Sequence, residues 1–257
     1  MNKSEYQGFF AEFYDILHSE LMDVEVYINF SKKYGLTILE LGSGTGRITI
    51  PLAKKGFKVT GLELNDDMIN ICKDKLQAED EEIRDNVRLI KGDMTEFNLG
   101  EKFDLIIAPC NVINHLISLD SLERTLNCVK DHLDENGTFI IDNSLPDIEF
   151  MVSSNNVEEV YEFIHPKTRT KIVDRFTAKY DFINQIEKDH IILEEYRGDK
   201  LIRHAESTET LTYFLPRELR IILKHMGFKI IEERGSLING GPIGERSREM
   251  VYICKLE

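Results

Sequence analysis

Three glycines within five residues, Gly42, Gly44 and Gly46, stand between a short apolar run, Thr37–Leu41, and a helical pattern from Arg47 to Lys55. A turn of that kind brings backbone close to a ligand because no Cβ intervenes. Glu40 precedes the turn, and Glu63 comes at the end of the next apolar run, Phe57–Leu64. A carboxylate delivered to the end of a buried strand can accept hydrogen bonds from the two hydroxyls of a ribose, and the adjoining turn can take the rest of a nucleoside. These groups together point to a nucleoside cofactor. A glycine-rich turn can also be a tight connection and nothing more, but the carboxylate after the second run argues for a ligand. Two other groups could act on a bound molecule. His115, just past the run Phe103–Ala108, is placed to take a proton from an acceptor, and Tyr14, on an aromatic N-terminal helix, could close over it. Packing at a helix start competes as the explanation of His115, and core packing competes for Tyr14 and Tyr6.

Spacing separates the kinds of nucleoside cofactor. A dinucleotide fingerprint reads G-x-G-x-x-G. Here the third glycine comes one residue early and Arg47 takes the expected place, which disfavours a nicotinamide oxidoreductase. The pattern Glu40-x-Gly42-x-Gly44-x-Gly46 instead resembles the cofactor loop of class I S-adenosylmethionine (SAM) dependent methyltransferases. The resemblance covers Ile38 to about Asp142, and more loosely the C-terminal helix and strands. Phe13-Tyr14-Asp15, Pro109–Leu116 and a later β-rich segment are similar to small-molecule members, among them amino-sugar and glycine-type N-methyltransferases.

The resemblance implies a SAM site formed by Glu40, Gly42, Ser43, Gly44, Gly46, Glu63, Leu64, Asp93, Met94 and Pro109, with no metal. Within it Glu63 would take the ribose hydroxyls and Glu40 the cationic methionine end. Asp93 would accept from the adenine amino group, and the Met94 amide would meet a ring nitrogen. His115 and Tyr14 are then the catalytic candidates for transfer to an N or O atom of a small molecule. The Asn-Pro-Pro-Tyr motif of enzymes that methylate adenine or glutamine amides is absent; Pro109-Cys110-Asn111-Val112 stands in its place. Two other readings stay open: a protein that binds SAM without transferring methyl, and a methyltransferase acting on protein or nucleic acid.

The elements that must position these residues follow from periodicity. Apolar faces over Ser4–Ser19 and Asp23–Tyr34 predict two helices ahead of the first strand, able to cap the sheet or fold across its ligand edge. Asn65 is placed to cap a helix over Asp66–Gln77, followed by a charged connection to Asp85 and a strand over Val87–Ile90. Asp120-x-x-Glu123 reads as a capping box opening a helix that Asn136-Gly137 closes, and Thr138–Asp142 is the fifth strand. Strand and helix alternate from Ile38 to Asp142, which predicts parallel strands with right-handed crossovers. Beyond Pro146, Val157–Phe163, Lys171–Asp181, His190–Tyr196 and Leu201–Phe214 read as successive antiparallel strands, with a hairpin at Arg197–Lys200. Pro216 opens a helix through Met226, and Phe228–Glu233 and Glu249–Lys255 close the chain as strands.

The expected fold is therefore α/β: a doubly wound, mostly parallel seven-stranded Rossmann-like sheet with an antiparallel last strand, plus an inserted antiparallel β-sheet lid. The expected division is 1–146 for the N-terminal helices and SAM-binding core, 147–215 for the lid over substrate, and 216–257 for the completion of the core. A net charge of −14 on 257 residues opposes nonspecific binding to phosphate backbones, so a nucleic-acid partner is not expected. No stretch approaches a membrane span or a signal peptide. The four cysteines, Cys72, Cys110, Cys128 and Cys254, are scattered without a C-x-x-C pair and read as buried free thiols. A cytoplasmic enzyme is the expectation, with a homodimer left open.

Overall fold

The computed structural model of the chain describes residues 7–17 and 22–257. Tyr6 and the outer parts of the helix expected over Ser4–Ser19 lie outside them. Two helices, α1 (Phe9–Leu17) and α2 (Met22–Tyr34), precede a seven-stranded sheet. Its strands are β1 (Thr37–Leu41), β2 (Lys58–Glu63), β3 (Val87–Lys91), β4 (Phe103–Ala108), β5 (Leu133–Ser144), β10 (Phe228–Arg234) and β11 (Glu249–Leu256), in the order β10-β11-β5-β4-β1-β2-β3. The first five are parallel, and β11 runs antiparallel to both β5 and β10.

Both faces of this sheet are covered, which is why its central strands are continuous apolar runs. Leu39 and Leu41 of β1 pack with Leu122, Leu126 and Val129 of α6 (Leu119–His132) and with Leu219 and Leu223 of α8 (Pro216–His225). Ile38 points the other way, to Val24, Tyr27 and Ile28 of α2 and to Leu52 of α3 (Thr49–Lys54). The glycine turn runs on to Ile48, so α3 begins two residues later than its periodicity suggests. Pro51 still falls in its first turn, where the missing N–H costs nothing. Asn65 caps α4 (Asp66–Gln77) as expected, its side chain accepting from the amides of Asp67 and Met68.

Several details differ from the sequence reading. The charged connection before β3 contains a short helix, α5 (Glu81–Asp85). Helix α6 is capped by Ser118, whose hydroxyl and that of Ser121 exchange bonds with each other's backbone amides; Asp120 and Glu123 are not the box. The helix ends at His132, whose ring takes the Leu99 amide and meets the Cys128 carbonyl, and β5 starts at the next, buried residue. A further helix, α7 (Ile148–Ser154), follows β5, capped by Asp147. Of the free cysteines, Cys72 and Cys254 are buried, whereas Cys110 and Cys128 are half-buried.

The second sheet consists of β6 (Glu158–Ile164), β7 (Lys171–Asp181), β8 (Ile186–Arg197) and β9 (Lys200–Thr212), antiparallel throughout in that order. Gly198-Asp199 makes the two-residue turn between β8 and β9, with Gly198 at φ +61°. One face of this sheet presents Ile172 and Leu193 to Phe9 and Phe13 of α1. Helix α1 is also tied to the first sheet's side: Asp15 accepts from Thr45 Oγ1 at 2.5 Å and pairs with Lys75 of α4 at 2.6 Å. The helix is thus wedged between the glycine turn and the second sheet. No helix among the described residues is long and apolar enough to cross a membrane.

Candidate active site

The glycine turn leaves β1 at the carboxyl edge of the parallel strands, where open α/β sheets bind ligands. Gly42, Gly44 and Gly46 have φ of +68°, +53° and +79°. A Cβ on Gly42 would stand 2.3 Å from Val112 Cγ2, and one on Gly46 would stand 2.4 Å from Cys72 Sγ. Those two glycines let neighbouring elements close in. Gly44 is different, because nothing lies within 4 Å of where its Cβ would be. Its backbone is the part of the turn that an extra molecule can approach. Ser43 is buried, its amide donating to Leu62 O at 3.1 Å.

Glu63 ends β2 beside this turn. Its two oxygens accept at 2.8 Å from the Gly44 amide and from the Asn65 amide, so the carboxylate braces the turn against the start of α4. Each oxygen keeps further acceptor capacity for hydroxyl donors. Leu64 follows it, half-buried. After β3, the next strand outward, Asp93 accepts from the Thr95 amide at 2.8 Å and Met94 is buried. Pro109, also buried, follows β4. The residues singled out for a nucleoside thus collect along one sheet edge, and an open backbone at Gly44 beside a carboxylate with spare acceptor sites fits a ribose-bearing cofactor. Glu63→Ala is expected to weaken SAM binding roughly ten- to a hundredfold, since charge-assisted hydrogen bonds contribute about 1.5 to 3 kcal/mol. Calorimetric titration would check this, and an unchanged dissociation constant would take Glu63 out of the site.

Glu40 lies beneath the turn, only 2% exposed, and accepts from Thr49 Oγ1 at the start of α3. Burial raises its carboxyl from 4.5 to about 8, against the opposing pull of the Thr49 hydroxyl and of Arg47. A carboxyl with a folded pKa above its unfolded one supports the fold fully below about pH 4.5, and that support is lost as pH climbs through about 8. The difference corresponds to roughly 3 to 5 kcal/mol. Glu40→Gln keeps the Thr49 bond, so its stability without ligand should fall less than the wild type's between those pH values. Parallel pH profiles in denaturant melts would contradict this.

Tyr14 reaches the same place from α1. Burial pushes its hydroxyl above the usual phenol range, and the charges acting on it belong to Cys110, Arg47, Glu40 and Glu63. Arg47, the residue after the glycine motif, grips Asp23 of α2 with two nitrogens at 2.8 and 2.6 Å and also reaches the Cys110 sulfur. Asp142, at the end of β5, accepts from the Tyr27 hydroxyl and from the Cys110 amide, and burial lifts its carboxyl to about 6. These bonds hold Cys110 and Asn111 in the left-handed region, φ +57° and +60°. Two successive non-glycine residues there store strain that only a surrounding network maintains. The sequence reading missed Arg47, Asp23, Tyr27 and Asp142, which pair across long stretches of chain. An arginine directly after the glycine motif was their one visible trace.

That turn leads into a 3-10 helix, Val112–His115, packed between the end of β5 and β9. His115 turns to the second sheet, where its Nδ1 lies 3.6 Å from Glu209 Oε1 on β9. The structure therefore divides the expected residues in two. Glu40, the glycine turn, Glu63 and Tyr14 gather at one end, whereas His115 faces the second sheet. Among the described residues no group of three or more His, Cys, Asp or Glu is placed to hold a metal ion.

Comparison with known proteins bears on this edge. The family described as a methyltransferase domain matches residues 38–137, which run from β1 into the start of β5. A protein of Geobacillus sp. (strain WCH70) that carries a methyltransferase name is 25% identical over 256 residues, 96% of this chain and 98% of that one. A dTDP-3-amino-3,6-dideoxy-alpha-D-glucopyranose N,N-dimethyltransferase of Streptomyces fradiae is 26% identical over 148 residues, 54% of this chain and 55% of that one. In fold, the structure of the CcbJ methyltransferase from Streptomyces caelestis superposes with a TM-score of 0.85 at 22% identity, covering 100% of this chain and 99% of that one.

Proposed function

Taking as premise that this chain is a SAM-dependent methyltransferase, we propose that it methylates a nitrogen of a small polar molecule enclosed between the glycine-turn edge and the second sheet. The observation that carries the proposal is the double cover of the carboxyl edge. Helix α1 brings Tyr14 over the glycine turn, while the 3-10 helix brings His115 under β9. A polymer would need that edge open, whereas a small acceptor needs it closed. The amino-sugar name of the Streptomyces fradiae relative favours nitrogen over oxygen. On this reading residues 1–146 form the cofactor core, 147–215 the substrate lid, and 216–257 complete the core.

SAM supplies a methyl carbon already activated by its sulfonium, which leaves as a neutral thioether. The chain has to hold that cofactor, align the acceptor nitrogen and exclude water. Glu63 would hold the ribose hydroxyls, the Gly42–Gly46 backbone and Glu40 would take the methionine end, and Asp93 with the Met94 amide would read the base. Leu64 and Pro109 would wall the nucleoside. Tyr14 orients the acceptor from α1. His115 takes the proton that the nitrogen must shed before or during attack.

The test is S-adenosylhomocysteine formation with a library of small amines, matched alcohols, a protein mixture and RNA. Turnover confined to amines supports the proposal. Turnover with protein or RNA alone, or cofactor binding without any turnover, overturns it.

A further inference from the structure

The face of the second sheet that covers α1 and the 3-10 helix also carries carboxylates that the mechanism above leaves unused. Asp189 of β8 stands directly opposite Glu209 of β9, and Glu187 lies two residues before Asp189 on the same side. Period two puts them in phase with Leu193, which packs on Phe13. Asp189 is 5% exposed and Glu209 7%. Like charges opposite one another destabilise a sheet, and burial multiplies that cost. Burial first, then Glu187 and Glu209, push the Asp189 carboxyl up to about 8.

Asp189 shares a side-chain hydrogen bond with Glu187, itself an acid, so relief from its other neighbours is small. Ala178 and Tyr180 of β7 face Asp189 and Glu187, with Tyr180 bonded to Glu187, and Leu211 of β9 faces Glu187. His115 approaches Glu209 from the 3-10 helix. Arg203, on the same face, is drawn to Glu12 at 2.7 Å and Glu195 at 3.7 Å at the far end. Asp189 Oδ1 receives no hydrogen bond. A second, separate group lacks partners near the same helix. Asn143, at the end of β5, is 1% exposed, and neither its amide oxygen nor its nitrogen is bonded. By alternation it lies on the Phe139 and Ile141 face, against which Val112 and Ile113 pack. Unpartnered buried polar groups are costly, and they gather at functional sites.

Resting on the methyl-transfer reading, we propose that Asp189, with Glu187 and Glu209, recognises the acceptor through a protonated amino group, and that Asn143 bonds a neighbouring polar group of the same molecule. An ammonium brings a donor for the unbonded Asp189 Oδ1 and a positive charge to a patch of three acids. A neutral alcohol brings no charge, and an acid adds to the repulsion. The lid therefore selects cationic amines.

Methylammonium is the simplest probe of this class. The full chain, loaded with S-adenosylhomocysteine, is titrated with methylammonium chloride and, at equal ionic strength, with sodium chloride, while Tm and heat are recorded. Methylammonium should raise Tm beyond sodium, and Asp189→Asn should weaken its apparent affinity about tenfold or more. S-adenosylhomocysteine affinity should not change. Asp189→Asn alone should raise the resting Tm, because it removes one of the opposed buried acids. If that variant does not fold, Glu187→Gln takes its place and must show the same loss. No methylammonium response in the wild type, or an equal response in the variant, overturns the proposal. Failure of the wild type to bind S-adenosylhomocysteine overturns the methyl-transfer reading instead.

Discussion

His115→Ala is expected to lower turnover about 10²-fold or more while sparing cofactor affinity, which is the usual effect of removing a general base. The two effects separate because His115 sits at the end of the 3-10 helix away from the glycine turn. The opposite end of that helix, Val112, fills the space that a side chain at Gly42 would occupy. Truncating His115 leaves that contact intact. With a proton on Nδ1, 3.6 Å from Glu209 Oε1, the ring would present Nε2 as the acceptor. An amine held as ammonium has no lone pair to attack with until an N–H bond breaks and the proton moves to such a base. The defect in His115→Ala should therefore shrink as pH rises through the acceptor's own pKa, since an already neutral amine needs less help. Rates per folded molecule and Tm should be measured on the same preparation. A variant with full rate and lowered Tm would show that His115 only packs.

The parts of this architecture legible in the sequence are those whose signal is local. Thr37–Leu41 and Phe103–Ala108 are apolar because they are buried on both faces, and both strands fall where their runs do. Asn65 caps its helix because a short side-chain acceptor two and three residues before free amides needs no distant partner. The second sheet was visible from its alternation, although β8 extends four residues further toward its N-terminus than the run His190–Tyr196, since Glu187 and Asp189 interrupt the apolar phase. That interruption was itself a signal, because acids in the covered phase of a strand are costly unless something compensates them. Helices α5 and α7 were missed because five and seven residues carry too little periodicity to stand out.

Contacts between distant residues were not legible at all. Nothing local links Arg47 to Asp23, or Tyr27 to Asp142, although these pairs fix the left-handed turn at Cys110 and Asn111 that aims the 3-10 helix. The cofactor residues were legible because strand order places every carboxyl end on one edge. The acceptor side was not, because it depends on how an inserted sheet lies across that edge. Sequence pattern identifies the insertion but says nothing of which of its faces turns inward.

Replacing residues 157–212 by a short flexible linker is expected to abolish methyl transfer, by at least about 10³-fold, while S-adenosylhomocysteine still binds. Residues Tyr213 and Phe214 are kept, because Phe214 belongs to the core beneath α8. Both ends of the insertion come to the same end of the second sheet: Ile186 pairs with Thr212, and Tyr180, next to it through Glu187, bonds Ser154 of α7. A linker of roughly six to eight residues can therefore span them. The cost falls on α1, whose Phe9 and Phe13 lose Ile172 and Leu193 as cover. Exposing part of two such side chains destabilises by a few kcal/mol on the usual scale of about 1.5 to 3 kcal/mol for each fully buried one. The bonds of Asp15 to Thr45 and Lys75 remain, so α1 keeps its anchor on the cofactor side. The strands that carry Glu40 and Glu63, and the one that Asp93 follows, are untouched. Transfer is lost because Asp189 and Glu209 leave with the sheet, and with them the wall that holds the acceptor and keeps water out. Circular dichroism, cofactor titration and product formation on one preparation decide the matter. Near-full turnover with the same acceptors would place selection in the core, and a folded variant that no longer binds S-adenosylhomocysteine would make the second sheet part of the cofactor site.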